Sequence, residues 1–333
     1  MTYQSGSLGK IQKGDINGFL NTNTPNFNGL WSTGSGDSGY GQTAISAVAT
    51  GDKIKTTTWK NLIDYITKMA NHQGSTITSM SNTLAPTVPA TGKTIRIIAD
   101  NINTVITNNL TTLTTNRLNS AVLNRSTNST TKTHGSTWSN SLTATFTITF
   151  PSHDAARYYF NAGGQIGIQG SHPYVAGYNI NGLISEICND IGTIWMSSPT
   201  SGTVSIEGSN WHGIEQKSST GAGSSVNIST NHGFYAWTNT STPVITQKGS
   251  TSFVGSWTGT NYTSGTYGQV SVKYDGAGVV TVTYLLDEVP DGSAAAANTS
   301  VTLILKQPTT TYLTNSWGVI GSTLTVSGSI AAT

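Results

Sequence analysis

Acid–base or metal chemistry in this chain would have to be built from six histidines, one cysteine and fourteen acidic residues, a sparse supply for 333 positions. The densest candidate is GSGDSGYG, which begins at Gly34 and holds two familiar strings at once. Gly34, Gly36 and Gly39 are spaced as G-x-G-x-x-G, whose glycines let a backbone approach a pyrophosphate. That use needs a strand before the loop and a helix after it, and neither pattern flanks this one. Gly36-Asp37-Ser38-Gly39 also spells the serine signature of chymotrypsin-like proteases. Those enzymes order their triad His, Asp, Ser along the chain, and here no histidine precedes His72. A flexible glycine loop is expected.

The other ionisable groups are dispersed. His72, His134, His153, His172, His212 and His232 show no i, i+4 pair and no Cys/His spacing of the kind that holds a metal. Of the four glutamates, Glu186 and Glu215 could face a cleft, yet no second acid stands at a telling spacing. Asp287, Glu288 and Asp291 surround Pro290 and Gly292 without the ligand order of an EF-hand, so a solvated turn is expected. Cys188 falls on the apolar stripe of a predicted helix and reads as a buried, inert thiol. No catalytic residue, metal ligand or cofactor is assigned, and no enzyme is expected.

Two aromatic features remain. Trp211, Tyr235, Trp237, Trp257, Tyr262 and Tyr267 gather in the last third of the chain, where flat rings beside Asn and Thr could stack sugars. The preferred reading places them in the core or at a subunit interface. Residues 156–168, ARYYFNAGGQIGI, run three aromatics into a double glycine. Here Tyr158, Phe160 and Asn161 read as a short helix stapled by its rings to the preceding strand. Gly163 and Gly164 then supply the positive φ that turns the chain into QIGI. The stretch reads as a structural corner.

Composition sets the surroundings. Charged residues are 9% of the chain, against roughly 25% in ordinary soluble domains, so surface polarity must come from Thr, Ser, Asn and Gly. A net charge of +2 gives no basic field, and no nucleic-acid partner is expected. Eight Trp, thirteen Tyr and seven Phe supply packing material that a disordered chain lacks. The first residues have no apolar signal core, and no run approaches the roughly 18 residues of a membrane span. Synthesis in a cytoplasm without membrane insertion is expected.

The positioning elements follow. Residues 1–45 read as an extended N-terminal arm. Residues 46–123 read as a helical unit with a weak internal repeat, ATGDKIKTTTWKNLIDYIT and ATGKTIRIIADNINTVIT. The first copy places Trp59, Leu62, Ile63, Ile66, Met69 and Ala70 at helical spacing, with threonines as caps before and Gly74 after. The second places Ile102, Val105, Ile106, Leu110 and Leu113 on a similar stripe, and a helical hairpin is predicted, with Pro86 and Pro89 between the helices. Residues 124–140 read as a linker. Residues 141–333 read as a β-rich domain: LTATFTITF alternates without error, a helix is predicted near 181–196, and QVSVKY-DGAG-VVTVTYLL reads as a hairpin. The fold class is α+β, an arm and helical hairpin followed by a sandwich-like region with one further packed helix.

Phe150-Pro151 followed by Ala155 to Ile166 resembles a recurring segment of tailed-bacteriophage virion structural proteins, notably large ones from cyanophages and other myovirus-like phages. The helix carrying Trp59-Lys60 and Leu62 and ending Asn71-His72-Gln73-Gly74 resembles the amino-terminal unit of such proteins. The resemblance implies a non-enzymatic component of the tail, baseplate, neck or fibre. Its partners would be other virion proteins and itself, as a homotrimer. The alternative kept open is a carbohydrate-binding or polysaccharide-degrading protein that recognises a host surface glycan.

Overall fold

The structure is a computed structural model that describes residues 13–52, 55–80, 93–117, 125–174, 179–198, 204–206, 209–211, 214–217, 227–228, 233–248, 265–288 and 294–333. The fold is α+β, as the patterning predicts. The chain forms two compact units, one of residues 1–124, 205–208 and 309–316, the other of residues 125–204, 209–308 and 317–333.

In the first unit, the stretch expected to be an extended arm is folded core from residue 13 onward. Helix α1 (Lys13–Asn17) runs into a π-helical turn (Gly18–Thr22), and α2 (Phe27–Trp31) follows. Ile16, Phe19, Leu20, Phe27, Leu30 and Trp31 are all buried. Aromatics that look isolated along the sequence converge in space. Trp31 stacks on Tyr65 at 4.7 Å, Phe27 stacks on Trp31 at 5.8 Å, and Phe19 meets Trp59 edge-on.

Helix α3 (Thr56–Gln73) buries Leu62, Ile63, Ile66, Met69 and Ala70, the stripe predicted for it. Its threonines do not cap it: Lys55 is the N-cap residue and Thr56 to Thr58 lie inside the first turn. Gly74 ends the helix at φ +63°, with Ser75 N–H bonded to Ala70 O across the left-handed turn. Helix α4 (Lys93–Asn116) buries Ile106, Leu110 and Leu113 and packs against α3. The C-terminal ends of the pair meet, since Gln73 Nε2 donates to Leu113 O at 3.0 Å. Pro86, Pro89 and the second ATG turn lie outside the described residues.

The extended segments of this unit are held by side-chain amides. Asn17 pairs with both backbone groups of Val48, accepting from N–H at 2.8 Å and donating to C=O at 3.0 Å. Asn28 does the same to Ile45, Asn109 to Thr78, and Gln42 to Thr314. Each amide makes the two-bond pairing that a neighbouring strand would make, and so satisfies backbone groups that have no sheet. Asn108 and Asn109 isolate the effect, because they are adjacent on α4 but only Asn109 is buried and clamped. Alanine gains the same helix propensity at either site. Asn109→Ala is therefore expected to lower the unfolding free energy by on the order of 1–3 kcal/mol more than Asn108→Ala. Equal denaturation midpoints for the two variants would show that the clamp contributes nothing.

The second unit has two antiparallel sheets. The five-stranded sheet orders β1 (Arg125–His134), β12 (Thr299–Pro308), β3 (Gln165–Ser171), β4 (Thr193–Met196) and β7 (Ile214–Lys217). The six-stranded sheet orders β13 (Thr325–Ala332), β2 (Ser141–Thr149), β11 (Val279–Asp287), β10 (Tyr267–Tyr274), β9 (Thr242–Lys248) and β8 (Asn227–Ile228). Strands β5 (Val204–Ile206) and β6 (Ser209–Trp211) form a short separate ribbon. In β2, Leu142, Ala144, Phe146 and Ile148 are buried, the face its alternation predicts. The ring of Tyr284 on β11 lies against Gly170 of β3, where there is no space for a Cβ, so the sheets meet face to face. The β10–β11 hairpin forms as predicted. Asp275 Oδ1 accepts from the N–H groups of Ala277, Gly278 and Val279 across the turn.

Two boundaries differ from the sequence reading. The segment read as a linker contains β1, an edge strand without apolar alternation. It is held by backbone pairing and by hydroxyl contacts, Thr131 to Thr302 and Thr133 to Ser300, each 2.8 Å. The helix predicted near 181–196 is α6 (Asn179–Ile191), which ends where Gly192 takes φ +60°. Thr193 to Met196 then form β4, so Ile194 and Trp195, inside the predicted helix, are strand residues paired with Ile168 and Gly167.

Candidate functional site

The ARYYFNAGGQIGI stretch draws ring contacts and hydrogen bonds from several elements of the second unit. Pro151 ends the strand region, and Ser152 Oγ accepts from Ala155 N–H at 3.1 Å to open helix α5 (His153–Asn161). Asp154, in the first turn, pairs with Arg157 at 3.2 Å. The helix closes in a Schellman turn: Gly164 N–H bonds Tyr159 O, Gly163 N–H bonds Phe160 O, and Gly163 has φ +88°. Positive φ was expected at both glycines, and only Gly163 has it. Gly164 is needed for space, because a Cβ there would sit 2.5 Å from the Tyr159 ring and 2.6 Å from Tyr159 O.

Around this turn the rings form one cluster. Phe160 stacks on Phe234 at 4.5 Å and meets Trp237 edge-on at 5.5 Å and Tyr159 edge-on at 5.1 Å. Phe150 and Tyr274 close the group. Tyr235 donates its hydroxyl proton to Asn161 Oδ1, a buried acceptor. The Tyr158 ring is buried under the Arg157 guanidinium, whose carbon lies 4.9 Å from the ring centre. Two members of the sugar-stacking set, Tyr235 and Trp237, are thus part of the corner. Trp237 is buried among rings rather than presented to a ligand. Trp257 and Tyr262 lie outside the described residues, as does the side chain of Trp211.

Tyr159 was missing from the residues singled out in the sequence, and it is the hub. It has no exposed surface, and its hydroxyl lies 2.7 Å from Gln165 O and 2.9 Å from Lys306 O. One side chain thereby ties α5 to β3 and β12. Burial raises its pKa far above the usual phenol value, so it stays a neutral donor. Three consecutive aromatics in nine helical residues were the available signal: at helical spacing only some can point at one face, and spacing alone does not say which.

A second buried group sits beside β12. Asn181 Oδ1 accepts from both His172 Nε2–H (2.9 Å) and Ala296 N–H (2.6 Å). His172 Nδ1 then accepts from the Thr299 hydroxyl at 2.8 Å, while Thr299 Oγ1 accepts from Trp138 Nε1–H. Every donor has its acceptor when His172 is neutral, which fixes the tautomer. Burial holds the His172 pKa below its ordinary value, outweighing the Asn181 contact. The sign follows: near and below pH of about 6.5 the unfolded chain binds a proton that the folded chain refuses. Stability carried by this site is full above that pH and declines as the pH falls toward the lowered folded-state pKa. His172→Gln is expected to flatten that part of the profile, checked by the difference in melting temperature between wild type and variant from pH 8 to 5. Parallel profiles would show that His172 does not titrate on unfolding.

The remaining strings are occupied internally. The glycine loop follows helix α2 and runs into irregular chain, without the strand–loop–helix order of a dinucleotide site. Ser38 Oγ donates to Ser35 O at 2.8 Å and Asp37 pairs with Arg117, so the loop is a closed turn. Beside it lies an open groove of about 590 Å³ lined by Asn21, Asn26, Ser32, Thr33, Ser38 and Thr114. The Asn26 carboxamide oxygen caps α2 and the Ser32 hydroxyl bonds Asn28 O, so these groups too are turned to the protein's own backbone. Cys188 is buried on α6, and burial pushes its thiol up to about 12, which leaves no thiolate at neutral pH. Glu186 is half-buried on α6, raised by burial and by Asp190 one turn on; the side chain of Glu215 and all of Asp291 lie outside the described residues. Among the described residues no group of three His, Cys, Asp or Glu could hold a metal, and no helix is long and apolar enough to cross a membrane. No protein-family model, curated protein or solved structure matches this chain.

Proposed function

We propose that this chain is a non-enzymatic structural component of a tailed-bacteriophage particle, part of its tail, fibre or baseplate assembly, working through contacts with itself and with other virion proteins. One observation carries the reading. The Phe150–Ile166 segment, on which the resemblance rests, is a packing hub whose rings and hydroxyl bind α5 to both the β3 and β12 backbones. The residues that resemble virion proteins therefore act here as structure. The same economy runs through the first unit, where amides and hydroxyls that could recognise a ligand are bonded to backbone.

Gradient-purified particles of the phage encoding this chain should contain it at fixed copy number, with density for its two sheets in a cryo-EM reconstruction. Absence from purified particles would overturn the proposal. Release of oligosaccharides from host surface polysaccharide by the purified chain would favour the glycan-degrading alternative instead.

A further inference from the structure

Strand β13 is the outer edge of the six-stranded sheet, and its free side has a definite chemistry. Ser141 and Thr333 exchange both backbone bonds, at 3.0 and 3.4 Å, so they form a hydrogen-bonded antiparallel pair. The pairing continues without a register shift from Ala332↔Leu142 to Thr325↔Thr149. With a period of two, Thr325, Ser327, Ser329 and Ala331 direct their N–H and C=O groups at β2. Val326, Gly328, Ile330 and Ala332 direct theirs away from the sheet, and among the described residues none of these outward groups has a hydrogen-bond partner.

Edges of this kind are normally protected by charge, proline or a bulge. The sequence TVSGSIAA has no charge and no proline, its ladder has no bulge, and none of its residues is fully buried. The edge of the other sheet, β1, differs: it carries Arg125, Lys132 and His134. Lys132 of β1 lies over the inner face of β13 at Gly328, but of the two long edges β13 is the one with no charge of its own.

We infer that β13 pairs antiparallel with β13 of a second copy of this chain, across a two-fold axis at Ser329, joining two six-stranded sheets into one. The register is set by the outward groups. Centring the axis on Ser329 places Val326 opposite Ala332 of the second copy and Gly328 opposite Ile330. This is the arrangement in which all four outward N–H groups of each strand meet outward C=O groups. It also sets apolar or small residues against one another on the inner face, where the Lys132 side chain of β1 lies over Gly328, and Ser329 against Ser329 on the exposed face, with no charged residue of β13 itself opposed. A second copy is the occupant favoured because the strand is complementary to itself and antiparallel pairing is the mode this sheet already uses throughout. The two-fold contact takes the place of the threefold one that the resemblance implied, and it does not depend on the virion reading.

Ser329 is exposed on the outer face, so substitutions there leave the fold intact. Light scattering of the wild-type chain is expected to give twice the 34.9 kDa chain mass, and Ser329→Lys, which opposes two ammonium groups across the axis, is expected to halve it without changing the circular dichroism melt. Ser329→Cys should form a dimer on a non-reducing gel after mild oxidation, because a non-hydrogen-bonded pair brings its Cβ atoms within disulfide range. Ser327→Cys, facing Ala331 of the second copy, should not. A monomeric or trimeric wild type would overturn the inference. So would a dimer that Ser329→Lys leaves unchanged and Ser329→Cys fails to cross-link.

Discussion

Phe160→Ala is expected to cost about 3–5 kcal/mol of unfolding free energy, a large part of the 5–15 kcal/mol that holds a typical domain together. The ring is 1% exposed and is touched on several sides by Phe150, Tyr159, Phe234 and Trp237. Alanine would lose both the burial and the stacking, and the cavity has little way to collapse because Tyr159 is anchored by its hydroxyl at Gln165 O and Lys306 O. Tyr158→Ala is the comparison: its ring is also buried but lies under Arg157 with 7% exposure, and the change should cost less. Urea denaturation of the two variants separates them. A Phe160→Ala chain within about 1 kcal/mol of wild type would mean that the cluster is not a unit of stability.

Gly164→Val is expected to be comparably severe, on the order of 3 kcal/mol, for a different reason. The obstacle is the first carbon of any side chain, which would overlap the Tyr159 ring and the Tyr159 carbonyl oxygen at about 2.5 Å. Trimming the ring cannot relieve the second overlap, since the oxygen belongs to the Schellman turn, so Tyr159→Ala should not rescue Gly164→Val. Gly163→Ala meets the backbone penalty of φ +88°, about 1–2 kcal/mol. Both variants should lower the melting temperature and soluble yield together. If the turn were instead an active-site loop, Gly164→Val would fold normally, and a wild-type melting curve for that variant would defeat the structural reading of the corner.

Periodicity by itself determined the elements whose faces are uniform: LTATFTITF as β2, the stripe from Leu62 to Ala70 as α3, the DGAG hairpin, and the α+β class. There a single face is buried, so the pattern along the chain is the pattern in space. What only the tertiary structure decided were features set by partners distant in sequence. Phe27 and Trp31 belong to a core because Tyr65 stands beside them, not because of anything local. Ser126 to Thr133 form a strand because β12 pairs with them. Ile194 and Trp195 continue a helical stripe on paper, yet Gly192 at φ +60° breaks the helix and the β3 edge captures them. Asparagine is the clearest case. Composition reads it as solvated polarity, whereas Asn17, Asn28 and Asn109 each replace a missing strand, and which Asn does so depends on the backbone that folding brings within 3.0 Å of its amide.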